Sequence, residues 1–193
     1  MSKTAINPTL SFAPLTKKNW ADFEELFGAR GACGGCWCMA WRHDHANFER
    51  GKGRGNKLAM RKLVEARKQP GILLYQGKHA VAWCSIAPRE EFVRLANSRV
   101  WQPIDDQPVW SISCFFVAKE HRNQGLSVEL LRAAVEFARK KGAKIVEGYP
   151  QDLEKKLPPP FVWTGLASSY RQAGFTEAAR RSPNKPIMRY EIG

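Results

Sequence analysis

The spacing of apolar positions along the chain changes from one segment to the next. Leu10 to Pro14 alternates weakly and predicts a first strand. Thr16 then stands where it can cap a helix that carries Trp20, Phe23, Leu26 and Phe27 on one face, and Gly28 ends it. Gly31 to Gly55 has no period and predicts a long irregular segment, of the kind that carries function in compact domains. Asn56 is placed to cap a second, basic helix reaching about Gln69, stopped by Pro70-Gly71. Ile72 to Tyr75 and Ala80 to Ala87 flank Gln76-Gly77-Lys78, a hairpin signal. Pro88 to Ser98 reads as a short helix, and Pro103 to Pro108 as a loop holding Asp105 and Asp106.

The second half is more regular. Residues 109–117 form an apolar strand. From Asn123 to Lys141 a helix sets Leu126, Leu130, Ala134 and Phe137 on one face and Glu129, Arg132, Glu136 and Arg139 on the other. Ala143 to Tyr149 is a further strand, joined to its predecessor by a helical crossover and hence expected to lie parallel to it. Gln151 to Thr164 is a loop stiffened by Pro158-Pro159-Pro160. A short helix over Leu166 to Ala173 and two closing strands, Phe175 to Arg181 and Ile187 to Ile192, complete the chain. The pattern predicts an α/β fold: a central mixed sheet flanked by helices, in a single domain over residues 1–193.

Composition narrows the setting. The chain of 193 residues carries 31 Lys and Arg against 18 Asp and Glu, a net charge of +13. Such a surface attracts anions, a polyphosphate cofactor and nucleic acid among them. No apolar run approaches the ~18 residues of a membrane span, and the N-terminus lacks a secretory apolar stretch. Five cysteines, three of them at Cys33, Cys36 and Cys38, suit a reducing compartment better than a disulfide framework. A cytoplasmic protein without a membrane partner is expected.

The joint between the strand at 109–117 and the following helix reads Arg122-Asn-Gln-Gly125-Leu-Ser127. The free N–H groups and dipole of a first helical turn favour phosphate. A nucleoside-triphosphate loop and a dinucleotide fingerprint both need glycines that are absent here. The Arg-x-x-Gly-x-Ser spacing, with Leu130-Leu131 behind it, resembles the Arg/Gln-x-x-Gly-x-Gly/Ala signature of GNAT acyltransferases. Tyr170-Arg-Gln-Ala-Gly174-Phe175 is similar to the Tyr-x-x-x-Gly-Phe element near the end of those domains. The resemblance runs from about Leu10 to the C-terminus.

That resemblance implies an N-acetyltransferase moving an acetyl group from acetyl-CoA directly to an amine, in a sheet splayed at the cofactor strand. Backbone groups of Phe115, Phe116 and Val117 would bind pantetheine. Arg122, Asn123, Gln124, Gly125, Leu126 and Ser127 would hold the pyrophosphate. Ser127 replaces the usual Gly or Ala, which narrows the approach and adds a hydroxyl donor. Tyr170 stands at the family's general-acid position, where a phenol keeps its proton at neutral pH. The cofactor strand lacks the acid often found there. Glu147, in the next strand, is the best base, because a lone buried acid is costly without a use or partner. Asp105, Asp106 and His121 are weaker choices, His121 being expected to face solvent. Family members often pair as homodimers.

Two other segments invite chemistry. Cys33-Gly-Gly-Cys36-Trp-Cys38-Met-Ala-Trp41-Arg42-His43-Asp-His45 has thiols and imidazoles suited to zinc, but Cys36-x-Cys38 is tight for a half-site and no distant pair completes it. No metal is expected. The segment resembles one in a subset of uncharacterised GNAT proteins, which implies an acceptor-side role for Trp37, Trp41 and Arg42. Trp163, on the loop before the Tyr170 helix, is read as covering that side, since binding residues often sit on loops of a rigid scaffold. Residues 49–68 hold eight basic and two acidic residues, but no aromatic residues interleave as a single-strand nucleic-acid platform requires. A solvated basic helix is the favoured reading. The rival to an enzyme is a CoA-sensing or nucleic-acid-binding module on the same fold.

Overall fold

The computed structural model describes residues 10–153 and 162–193. The Pro158–Pro160 stretch and Phe161 lie outside these residues. Seven strands form one mixed sheet: β1 (Leu10–Pro14), β2 (Gly71–Gln76), β3 (His79–Pro88), β4 (Trp110–Val117), β5 (Ile145–Gly148), β6 (Thr176–Arg180) and β7 (Pro186–Glu191), in the order β1-β2-β3-β4-β5-β7-β6. Neighbours are antiparallel except β4 and β5, which run parallel as the crossover predicts. That pairing is short: Trp110, Ser111 and Ile112 face Val146, Glu147 and Gly148, and no pair follows. The register of β3 against β4 also slips between Ser85 and Ile86, leaving Ser113 as the extra residue of a bulge. β4 thus parts from β5 halfway along, and its second half, Ser113 to Val117, edges a cleft.

Helices cover both faces. α1 (Trp20–Phe27) and α3 (Arg54–Glu65) lie on one side with Leu73 and Trp83 of the sheet. α5 (Leu126–Lys140) lies on the other, where Leu126, Leu130, Leu131, Ala134, Val135 and Phe137 pack on Ile72, Cys84, Ile86 and Ile112. Each large side chain buried there contributes roughly 1.5–3 kcal/mol. α6 (Ala167–Gln172) closes the far end of that face, against α5 and β7. Thr16 caps a 3-10 turn that leads into α1, in a reciprocal bond with Asn19.

The segment 31–55 is more ordered than its aperiodic sequence predicts. α2 (His45–Gly51) forms inside it, capped by the Asp44 carboxylate on the Asn47 N–H at 2.8 Å. α3 begins at Arg54, so Asn56 is not its cap. Asn56 is buried within the helix and donates to the carbonyls of Gly35 and Phe48, tying α3 to the segment before it. The predicted helix over 88–98 is only a 3-10 turn and the four-residue α4 (Val93–Ala96).

Candidate active site

The cleft opened by the parting of β4 and β5 holds about 470 Å³ and runs from the start of α5 along β4 to the 31–41 segment. At one end α5 begins directly after Gly125, whose φ of +75° sets the left-handed turn that lets the helix start there. Gly125, as the N-cap, has no side chain with which to cap the first turn. The N–H groups left over, with the helix dipole, favour an anion. Arg122, Asn123, Gly125, Leu126 and Ser127 all line the cleft, with His121 beside them, half-buried rather than turned to solvent. Arg122 also donates from Nε to the Val117 carbonyl at 3.1 Å, which ties the turn to the end of β4. Gln124 is turned away and donates to the Glu120 carbonyl.

Along β4, Cys114, Phe115, Phe116 and Val117 line the cleft. The Ala118 N–H bonds Val81 of β3, so strand alternation turns the Phe115 and Val117 N–H groups toward the cleft. That of Phe115 donates to the Trp163 carbonyl at 2.7 Å. Trp163 lines the cleft and packs on Trp41, ring centroids 5.5 Å apart. The Trp41 indole N–H is buried with no partner among the described residues.

Trp37 and Arg42, expected on the acceptor side, do not line the cleft. Trp37 stacks on Phe27 in the core, with Lys57 over its ring. Arg42 is buried, paired to Glu91 at 2.7 Å and to the Pro70 carbonyl. The residues between them take their place: Cys38, Ala40 and Trp41, with Cys33 and Cys36. No group of three or more His, Cys, Asp or Glu among the described residues is placed to hold a metal ion.

Glu147 is held elsewhere. It is 1% exposed, it binds Arg189 at 2.7 Å and Arg89 at 3.5 Å, and it accepts from the Tyr149 hydroxyl at 2.9 Å. Arg189 also forks onto Asp105. The sequence rule that a buried acid needs a use or a partner is thus met by partners: two guanidinium groups and a phenol satisfy it within the sheet. Among the described residues no carboxylate lines the cleft.

Tyr170, the expected general acid, is fully buried and does not itself line the cleft; it packs beside Phe115 and Gly165, which do. Its ring lies on Gly148 and meets Phe115 and Phe175 edge-on, and its hydroxyl reaches the Thr164 carbonyl at 3.4 Å. Burial holds its proton on to well above the ordinary phenol range.

The cysteines were the least legible part. Cys38 and Cys114 come from segments far apart in the chain and both line the cleft. Cys38 Sγ accepts the Trp83 indole N–H at 3.0 Å. Burial opposes its ionisation, but its polar surroundings, the Trp83 indole N–H and the charge of Arg42 among them, outweigh it, and the thiol is held below its ordinary range. Its neighbours go the other way. Cys114 is pushed well up by the neighbouring Cys38 sulfur and by burial, and Cys36 is pushed up to about 12, chiefly by burial.

Comparison with known proteins bears on the family and the fold. Residues 38–151 match the acetyltransferase (GNAT) family model. No curated protein matches the sequence. Among solved structures, a GNAT-family acetyltransferase from Listeria monocytogenes has a TM-score of 0.57 at 9% identity, with 95% of each chain covered. PaiA N-acetyltransferase from Thermoplasma acidophilum, in complex with coenzyme A, scores 0.52 at 14% identity, over 95% of this chain and 99% of that one. YncA from Salmonella typhimurium, with its cofactor acetyl-CoA, scores 0.53 at 14% identity, over 95% and 94%. These likenesses are of fold. The family match covers more than half of the chain, from Cys38 on the cleft wall to the end of β5, and it makes this protein a GNAT-type N-acetyltransferase.

Proposed function

We propose that the chain acts as a single domain that moves an acetyl group from acetyl-CoA to the amine of an acceptor. The observation that carries this reading is the continuous cleft between the uncapped start of α5 and the parted edge of β4. The first-turn N–H groups and Arg122 take the pyrophosphate, and Arg suits its oxygens better than Lys would. Pantetheine runs along β4, where the Val117 N–H faces it. The Phe115 N–H is available to the thioester once the Trp163 carbonyl is displaced, and there it polarises the reacting carbonyl. Tyr170, buried and protonated beside the fork, supplies the proton that the CoA thiolate needs as it leaves.

The acceptor enters from the Trp41 and Trp163 side. This end of the cleft is apolar and holds no carboxylate among the described residues, which suits an amine that arrives neutral or beside an apolar group. In the simplest order of events the amine attacks the thioester directly. The cytoplasm, which supplies acetyl-CoA and keeps thiols reduced, suits both cofactor and cysteines. Calorimetric titration with acetyl-CoA tests the reading. Saturable micromolar binding supports it, and absence of binding by folded protein overturns it.

A further inference from the structure

We propose that Cys38 is an acyl-accepting nucleophile, so that the acetyl group passes through a Cys38 thioester before it reaches the acceptor. This rests on the acetyl-CoA reading above and replaces only the direct order of transfer.

Four of the five cysteines line one cleft: Cys33, Cys36, Cys38 and Cys114. They are not equivalent. An indole N–H can only donate, so the 3.0 Å contact from Trp83 makes the Cys38 sulfur an acceptor. The Cys114 thiol donates instead to the Phe115 carbonyl, at 3.7 Å. Arg42, itself buried and paired with Glu91, adds a positive charge nearby. A donor on the sulfur and a cation nearby favour thiolate, the reactive form of cysteine. The lowered ionisation range of Cys38, and the raised ranges of Cys36 and Cys114, agree with that geometry.

The backbone adds an independent sign. Trp37 and Cys38 have φ of +42° and +59°, a region costly for residues with a side chain. Strain of this kind persists where the surroundings impose it, and it clusters at functional sites. Here it places the sulfur on the cleft wall beside Cys114, the residue just before Phe115, whose N–H the thioester carbonyl would use. The cleft also lacks a carboxylate among the described residues, so a thiolate is the anionic group best placed to begin the reaction.

The step balances as thioester exchange. Cys38 Sγ attacks the acetyl carbonyl carbon, an Sγ–C bond forms, and the C–S bond to CoA breaks. The CoA thiolate leaves and takes the Tyr170 proton. A neutral amine then attacks the Cys38 thioester, the Sγ–C bond breaks, and the thiolate is restored. The proton shed by the amine passes to solvent, from which Tyr170 recovers its own. Nothing is oxidised or reduced.

The test needs no acceptor. The full chain is incubated with acetyl-CoA and isotopically labelled CoA. Label should pass into the acetyl-CoA pool, and an acid-quenched digest should show one acetyl group on the peptide bearing Cys38, removed by neutral hydroxylamine. Cys38→Ser and Cys38→Ala should abolish exchange while still binding acetyl-CoA. Wild-type protein that binds acetyl-CoA yet shows neither exchange nor adduct overturns the proposal and spares the cofactor reading. So does exchange that survives in Cys38→Ala, or an acetyl group mapped to another cysteine. Failure to bind acetyl-CoA at all overturns the cofactor reading first and this inference with it. Should both variants unfold, the wild-type adduct and its position decide alone.

Discussion

A Cβ added to Gly148 would lie 2.0 Å from Cε1 of Tyr170. The strand that ends the parallel pairing with β4 is therefore bare where the phenol ring must lie, and ring and strand are fitted to each other. Gly148→Ala forces one of them to move. Overpacking of this kind costs about 1–3 kcal/mol. Thermal unfolding should report the loss, and an unchanged melting temperature would show that the ring is free to shift.

Tyr170→Phe keeps the ring and removes only the hydroxyl, whose one hydrogen bond among the described residues is the long one to the Thr164 carbonyl. The fold should survive and acetyl-CoA should bind as before. Transfer should slow by roughly 10²–10⁴, the range for loss of a positioned acid. A normal rate would leave Tyr170 with a packing role alone.

The sheet and its flanking helices were legible because their patterns are periodic and long. The apolar stripe of α5 predicts the face that packs on Ile86 and Ile112, and the helical crossover predicts a parallel β5. What escaped was local or non-local in a way that period cannot show. α2 carries Phe48 as its one large apolar residue and depends on the Asp44 cap, a signal that the glycines around it drown. Asn56 has the chemistry of a cap but bonds to Gly35 and Phe48. Glu147 was visible as a buried acid, yet its partner Arg189 stands 42 residues away, and only the β5–β7 pairing brings them together. The end of the cleft at the start of α5 follows from a contiguous motif. The cysteine end is lined by both Cys38 and Cys114, 76 residues apart in the chain (114 minus 38), which no spacing announces.

Glu147→Gln separates two roles for this residue. If Glu147 serves as an anchor for Arg89 and Arg189, removing its charge leaves Arg89 without a carboxylate among the described residues and Arg189 with Asp105 alone, at a cost of up to about 3–5 kcal/mol. The melting temperature should fall sharply. A stable variant that has lost only transfer would instead make Glu147 the base.

Asp105 gives the same network a pH signature. Arg189, by hydrogen bond and charge, holds the Asp105 carboxyl down to about 2 from an ordinary 3.8. A group lowered on folding stabilises above its unfolded value and loses that contribution as pH falls through the folded one. Stability should therefore decline between about pH 4 and pH 2, and Asp105→Asn should flatten that decline while lowering stability at neutral pH. Melting curves across this window check it, and an identical acid profile in the variant would remove Asp105 from the account.

Ser127→Glu addresses the cofactor end with the least disturbance elsewhere. Ser127 is half-buried at the start of α5 and lines the cleft, so a longer side chain can extend into open space without entering the core. A carboxylate in a first helical turn is itself favourable to the helix, by up to about 1 kcal/mol, so folding should not suffer. The same carboxylate would occupy the dipole and N–H groups that the pyrophosphate needs and would repel its charge. Acetyl-CoA binding should fall below detection in calorimetry while the melting temperature holds or rises. Ser127→Ala, which keeps the space and removes only the hydroxyl, should bind acetyl-CoA nearly as well as the parent. Binding retained in the Glu variant would mean that the phosphates lie elsewhere and that the uncapped turn of α5 is only a helix end.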